Sequence, residues 1–118
     1  MTTFDALLIL DRAVLDELRK LDTGTGPSIV TELIQIMLIE IPKHAIAMRA
    51  HMTSSDFKAM KALAHSLKSS AGNLGALRLS AVCHAIESES DSKKLADYVM
   101  TFEKEAPILC ETLRKELR

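Results

Sequence analysis

The chain has 118 residues, 47% of them hydrophobic and only 3% aromatic, with 15 Lys plus Arg against 16 Asp plus Glu and a formal net charge of −1. That length suits one domain, residues 1–118, able to bury a core without metal or disulfide staples. The balanced charge gives no global field for nucleic acid or an anionic membrane, and a core of Leu, Ile, Val, Met and Ala disfavours an all-β fold.

The apolar run Ala6 to Leu10 is short, follows Asp5 rather than a basic region, and runs into Asp11 and Arg12, so it is not read as a signal peptide. Asp11 can cap a first short helix whose stripe is Val14, Leu18 and Leu21. Asp22 to Gly26 ends it, and Pro27 suits the first turn of a second helix with a stripe of Val30, Leu33, Ile34, Met37, Ile41, Ala45 and Met48. Pro42 inside that pattern predicts a kink near Leu38 to Ile41 or a full break. Ile39 projects to the opposite side, where packing against the first helix is expected ahead of a partner contact. Thr31, Glu32, Gln35 and Glu40 interrupt the most apolar stretch, so no segment reaches the roughly 20 apolar residues of a membrane span.

Thr53-Ser54-Ser55-Asp56 places hydroxyls to cap a third helix that runs to about Leu74, with Gly75 as its C-terminal cap. Leu79, Val82, Cys83 and Ile86 form a shorter apolar face before the polar run Ser88 to Ser92. The last helix has the cleanest period, Leu95, Val99, Phe102, Ala106, Leu109 and Leu113, with Pro107 expected to bend it locally. These stripes predict an all-α protein: an up-and-down four-helix bundle with a short additional N-terminal helix.

The third helix carries the most informative residue. At about 100° per residue with His65 at zero, Met60, Leu63, Ala64, Leu67, Ala71 and Leu74 fall between roughly 160° and 260°, so the core stripe faces away from His65. Within about 60° of His65 lie Lys58, Lys61, Ala62, Lys68, Ser69 and Gly72, which are cationic or small. A neutral imidazole offers a ring nitrogen as nucleophile, and the ammonium groups suit an anionic electrophile.

His65-Ser66-Leu67-Lys68-Ser69, with Gly75 ten residues after the histidine, resembles the HxLKGxxxxxG motif of histidine-containing phosphotransfer (HPt) domains, departing from it at Ser69, where the motif has glycine. Leu79, Cys83 and Ile86-Glu87 look like the apolar, cysteine and acidic positions that follow the motif in many bacterial members. The resemblance implies a phosphorelay intermediate. His65 would accept a phosphoryl group from a receiver-domain aspartyl phosphate and pass it to another receiver aspartate, with Lys68 neutralising its charge. Ser69, Gly75 and Glu87 would support the site, and an acidic side chain at Glu87 could orient the histidine ring. Lys61, Ala62 and Gly72 are the expected docking residues. The implied partners are response-regulator receiver domains and a hybrid sensor histidine kinase. The receiver would bring the magnesium ion, and the chain itself is expected to be a cytoplasmic monomer without cofactor or ATP-dependent kinase activity.

Other chemistries find less support. Gly24-Thr25-Gly26 lacks a preceding strand and a Walker pattern, so no nucleotide cradle is expected. His44 and His51 lack accompanying ligands for a metal, and His84 diverges from Cys83 by about 100° on a helix. Cys83 and Cys110 read as buried, reduced cytosolic thiols. The alternative function is a helical interaction module that binds a signalling partner without transferring phosphate.

Overall fold

The computed structural model describes residues 3–26 and 28–117. A short 3-10 helix, Thr3–Ala6, precedes five α-helices: α1 (Arg12–Arg19), α2 (Ile29–Thr53), α3 (Phe57–Asn73), α4 (Leu77–Ser88) and α5 (Ser92–Glu116). No strand occurs among the described residues. The helix α2 packs on α3, α3 on α4, α4 on α5, and α5 returns to α2, so one core lies between these four.

Local chemistry sets the boundaries. Asp11 Oδ1 accepts from Ala13 N at 3.1 Å to start α1, and Ser28 Oγ accepts from Thr31 N at 3.4 Å to start α2. Pro27, expected in the first turn of α2, lies outside the described residues. The cap of α3 is the Asp56 carboxylate, 3.2 Å from Ala59 N, rather than one of the hydroxyls before it. Asp91 Oδ1 accepts from Lys93 N at 2.9 Å at the start of α5.

The predicted stripe of α5 is buried at every position, as is that of α4. In α2, Val30, Ile34, Met37, Ile41 and Met48 are buried, while Ala45 is half-buried and Leu33 is exposed. Helix α2 runs unbroken through Pro42, and α5 through Pro107, because each ring removes a single donor from a ladder otherwise held by neighbouring turns and by packing.

Two expectations for the N-terminal half fail. The buried residue of α1 is Leu15; Val14 and Leu18 are half-buried and Leu21 is exposed, because the helix stops at Arg19 and Leu21 falls in the turn beyond the reach of its periodicity. Ile39 is 59% exposed instead of packed on α1. An eight-residue helix spans only about 12 Å, and α1 is held at the end of α5, where Arg12 and Arg19 meet Glu116 at 3.2 and 3.3 Å.

The N-terminal segment is fastened by Arg78 of α4. Its guanidinium donates to the Leu7 carbonyl at 3.0 and 3.2 Å and pairs with the buried carboxylate of Glu105 on α5 at 3.4 Å. Phe4 meets Tyr98 edge to face, centroids 6.0 Å apart.

Candidate functional site

Helix α3 presents His65 as its periodicity requires. Met60, Ala64, Leu67 and Ala71 are buried on one side, and the His65 side chain, 67% exposed, stands on the other. One turn later Lys68 leans toward α4.

Helix α4 supplies the counterpart. Its core residues Leu79, Val82, Cys83 and Ile86 are buried, which turns Glu87 at the last turn across to α3. Glu87 Oε2 meets His65 Nδ1, and Glu87 Oε1 accepts from Lys68 Nζ at 2.5 Å. The hydrogen bond from Lys68, followed by that from His65, holds the Glu87 carboxyl below the usual range for Glu. A carboxylate on Nδ1 fixes that nitrogen as the proton carrier and leaves Nε2 with a free lone pair. The result is an oriented imidazole beside a cation.

The Hpt domain family model matches residues 32–118, most of the chain. The chain belongs to the Hpt domain family. Its fold is similar to the crystal structure of histidine-containing phosphotransfer protein B (HptB) from Pseudomonas aeruginosa PAO1, with a TM-score of 0.76, 21% sequence identity, and coverage of 92% of this chain and 93% of that chain. No curated protein matches it. The Hpt match begins within α2, so α1 and the 3-10 helix lie before it.

The remaining expected residues of this Hpt chain divide into two groups. Ala62 and Ser69 are exposed beside His65. Lys61, Gly72 and Gly75 instead serve the frame. Lys61 Nζ donates to main-chain carbonyls at the end of α4, 3.2 Å from those of Ile86 and Glu87. Gly72 lets α4 approach: a Cβ there would lie 3.3 Å from Ser80 Oγ. Gly75 has φ +86°, and a Cβ would meet the Asp11 carbonyl oxygen at 2.7 Å and Val14 Cβ at 3.0 Å. Its own carbonyl accepts from Asp11 N at 2.7 Å, so this glycine joins the α3–α4 turn to the start of α1.

Sequence reasoning missed Ser80, whose Oγ donates to the Lys68 carbonyl at 2.9 Å and ties the Lys68 turn to α4. A small polar residue facing Gly72 was its one available signal. Two cations of the face inferred from sequence are engaged within the fold: Lys61 donates to carbonyls, and Lys68 pairs with Glu87. Cys83 and Cys110 are buried and free, and burial pushes the Cys83 thiol up to about 12. His84 is exposed where Cys83 is buried, so the adjacent pair makes no dyad. Among the described residues no three His, Cys, Asp or Glu side chains cluster as metal ligands.

A shallow cavity of about 250 Å³ opens between α2 and α3, lined by Leu33, Ile36, Met37, Ser70, Asn73 and Leu74. Ile36 in its lining, and Ile39 three residues further along α2, are exposed at 55% and 59%. No helix among the described residues is long and apolar enough to cross a membrane.

Proposed function

We propose that this Hpt chain is a phosphorelay intermediate in which Nε2 of His65 accepts a phosphoryl group from a receiver-domain aspartyl phosphate and returns it to the aspartate of another receiver. The observation that carries this reading is the Glu87 carboxylate on His65 Nδ1. In the forward step the Nε2 lone pair forms the N–P bond as the aspartyl O–P bond breaks, and the aspartate leaves as carboxylate. The ring keeps its Nδ1 proton and takes on positive charge, which Glu87 offsets, while Lys68 faces the incoming phosphoryl charge. The reverse step donates the group to an acceptor carboxylate without ATP.

Magnesium would arrive with the receiver. Docking is read across Ala62 and Ser69 toward the exposed apolar residues of α2. The same reading takes α2 to α5 as an up-and-down four-helix bundle with α1 as an extra N-terminal helix, the chain acting as a cytoplasmic monomer between a hybrid sensor kinase and a response regulator.

Incubation with phosphorylated receivers from the same source tests this. The expected product is acid-labile, base-stable phosphate on the wild-type chain and none on His65→Gln, whose circular dichroism stays helical. Labelling that survives in His65→Gln overturns the assignment. Receiver binding without labelling of the wild type leaves an interaction module.

A further inference from the structure

Lys61 stands one helical turn before His65 on α3, yet its ammonium is not presented to solvent as a docking charge. It points at the end of α4, donating to the carbonyls of Ile86 and Glu87 at 3.2 Å each and to that of Glu89. An ammonium has three N–H donors, and three carbonyl acceptors can engage them all. These carbonyls belong to a helix C-terminus, where acceptors lack helical partners and the dipole favours a cation.

Glu87 sits in that same last turn. Helices α3 and α4 are joined by the tight turn at Leu74–Ala76, so the end of α4 that carries Glu87 is the end farthest from the connection. Three basic side chains of successive α3 turns therefore converge on one turn of α4: Lys61 on its main chain, and His65 and Lys68 on its carboxylate. Main-chain placement and carboxylate direction are divided between different residues.

We propose that Lys61 is a positioning residue for phosphotransfer: by clamping the last turn of α4 it holds Glu87 against Nδ1 of His65 and so keeps Nε2 as the acceptor nitrogen. The inference rests on the phosphorelay reading for its kinetic consequence, but its structural half concerns the His65 ring alone. Removing the clamp frees the terminal turn of α4 to fray, and the imidazole then samples both neutral tautomers.

The experiment uses the full chain, with Lys61→Met, Lys61→Arg, Glu87→Ala and the double variant Lys61→Met/Glu87→Ala. Long-range 1H–15N spectra taken where the ring is neutral report which nitrogen of His65 carries the proton. Phosphoramidate, a small phosphoryl donor that needs no protein docking, reports the rate of acceptance. The wild type and Lys61→Arg should show the Nδ1–H form, and Lys61→Met a mixture of both. Lys61→Met should accept phosphoryl about fivefold more slowly than wild type, and this loss should shrink to below about 1.5-fold in the Glu87→Ala background, as coupling through one shared network requires. Unchanged His65 signals in Lys61→Met overturn the proposal, as does an equal loss in both backgrounds. If the wild type takes no phosphoryl group from either phosphoramidate or receivers, the phosphorelay reading falls, while the ring spectra still decide whether Lys61 positions Glu87.

Discussion

Lys68 Nζ donates to Glu87 Oε1 at 2.5 Å, and the other oxygen of that carboxylate meets His65 Nδ1. One acidic side chain therefore holds both the proposed nucleophile and its proposed charge partner. In the resting site Lys68 is aimed by Glu87, and during transfer it can share its donors with the phosphoryl oxygens.

Lys68→Ala should slow phosphoryl acceptance without abolishing it, raising the barrier by about 1–3 kcal/mol, because one ammonium stabilises developing charge but does not form the N–P bond. Rapid-quench kinetics with a phosphorylated receiver measure this. An unchanged rate would assign the charge stabilisation to the receiver.

The pH dependence follows from the carboxylate. Hydrogen bonding by Lys68, and then by His65, lowers the folded-state pKa of Glu87, so its cluster is intact above the ordinary Glu range and is lost as pH falls through the lowered value. Carboxyl 13C titration should place Glu87 below an ordinary Glu. Lys68→Ala should move the midpoint up by more than His65→Gln does; the reverse order would make the imidazole the dominant partner.

At Ser69 size should matter more than polarity, since the residue is exposed where a receiver is read to approach. Ser69→Ala and Ser69→Gly should be tolerated, with glycine costing up to about 1 kcal/mol of helix stability relative to alanine. Ser69→Arg should block both transfer and binding of an unphosphorylated receiver in titration calorimetry while the fold persists. Wild-type binding by Ser69→Arg would move the docking face away from this side of α3.

Gly75→Ala should destabilise the fold by at least about 2 kcal/mol, since a left-handed non-glycine residue is strained and the new methyl meets main chain rather than a flexible side chain. Urea unfolding reads the loss directly. A cost under about 0.5 kcal/mol would mean that α1 shifts away freely.

Arg78→Met should cost about 3 kcal/mol by leaving the buried Glu105 carboxylate unpaired. It should also expose the segment before α1 to limited proteolysis, because Arg78 holds the carbonyls of Asp5 and Leu7. Restored stability in Arg78→Met/Glu105→Met would confirm that the uncompensated charge is the cause.

The sequence by itself determined the helical class, the core stripes of α4 and α5, and the exposure of His65, because a 3.6-residue period fixes which side chains share a face wherever a helix is long enough to express it. It also placed Gly75 at the end of α3, since a left-handed cap strongly favours that residue type. Only the tertiary structure decided where the long polar side chains reach. Lys61, Lys68 and Gly72 project near His65 on a helical wheel, yet packing against α4 directs Lys61 to carbonyls, pairs Lys68 with Glu87 and sets Gly72 against Ser80. Ion pairs between residues far apart in the chain, such as Arg78 with Glu105 and Arg19 with Glu116, leave no periodic trace, because their partners are chosen by how the helices dock and not by spacing along either one.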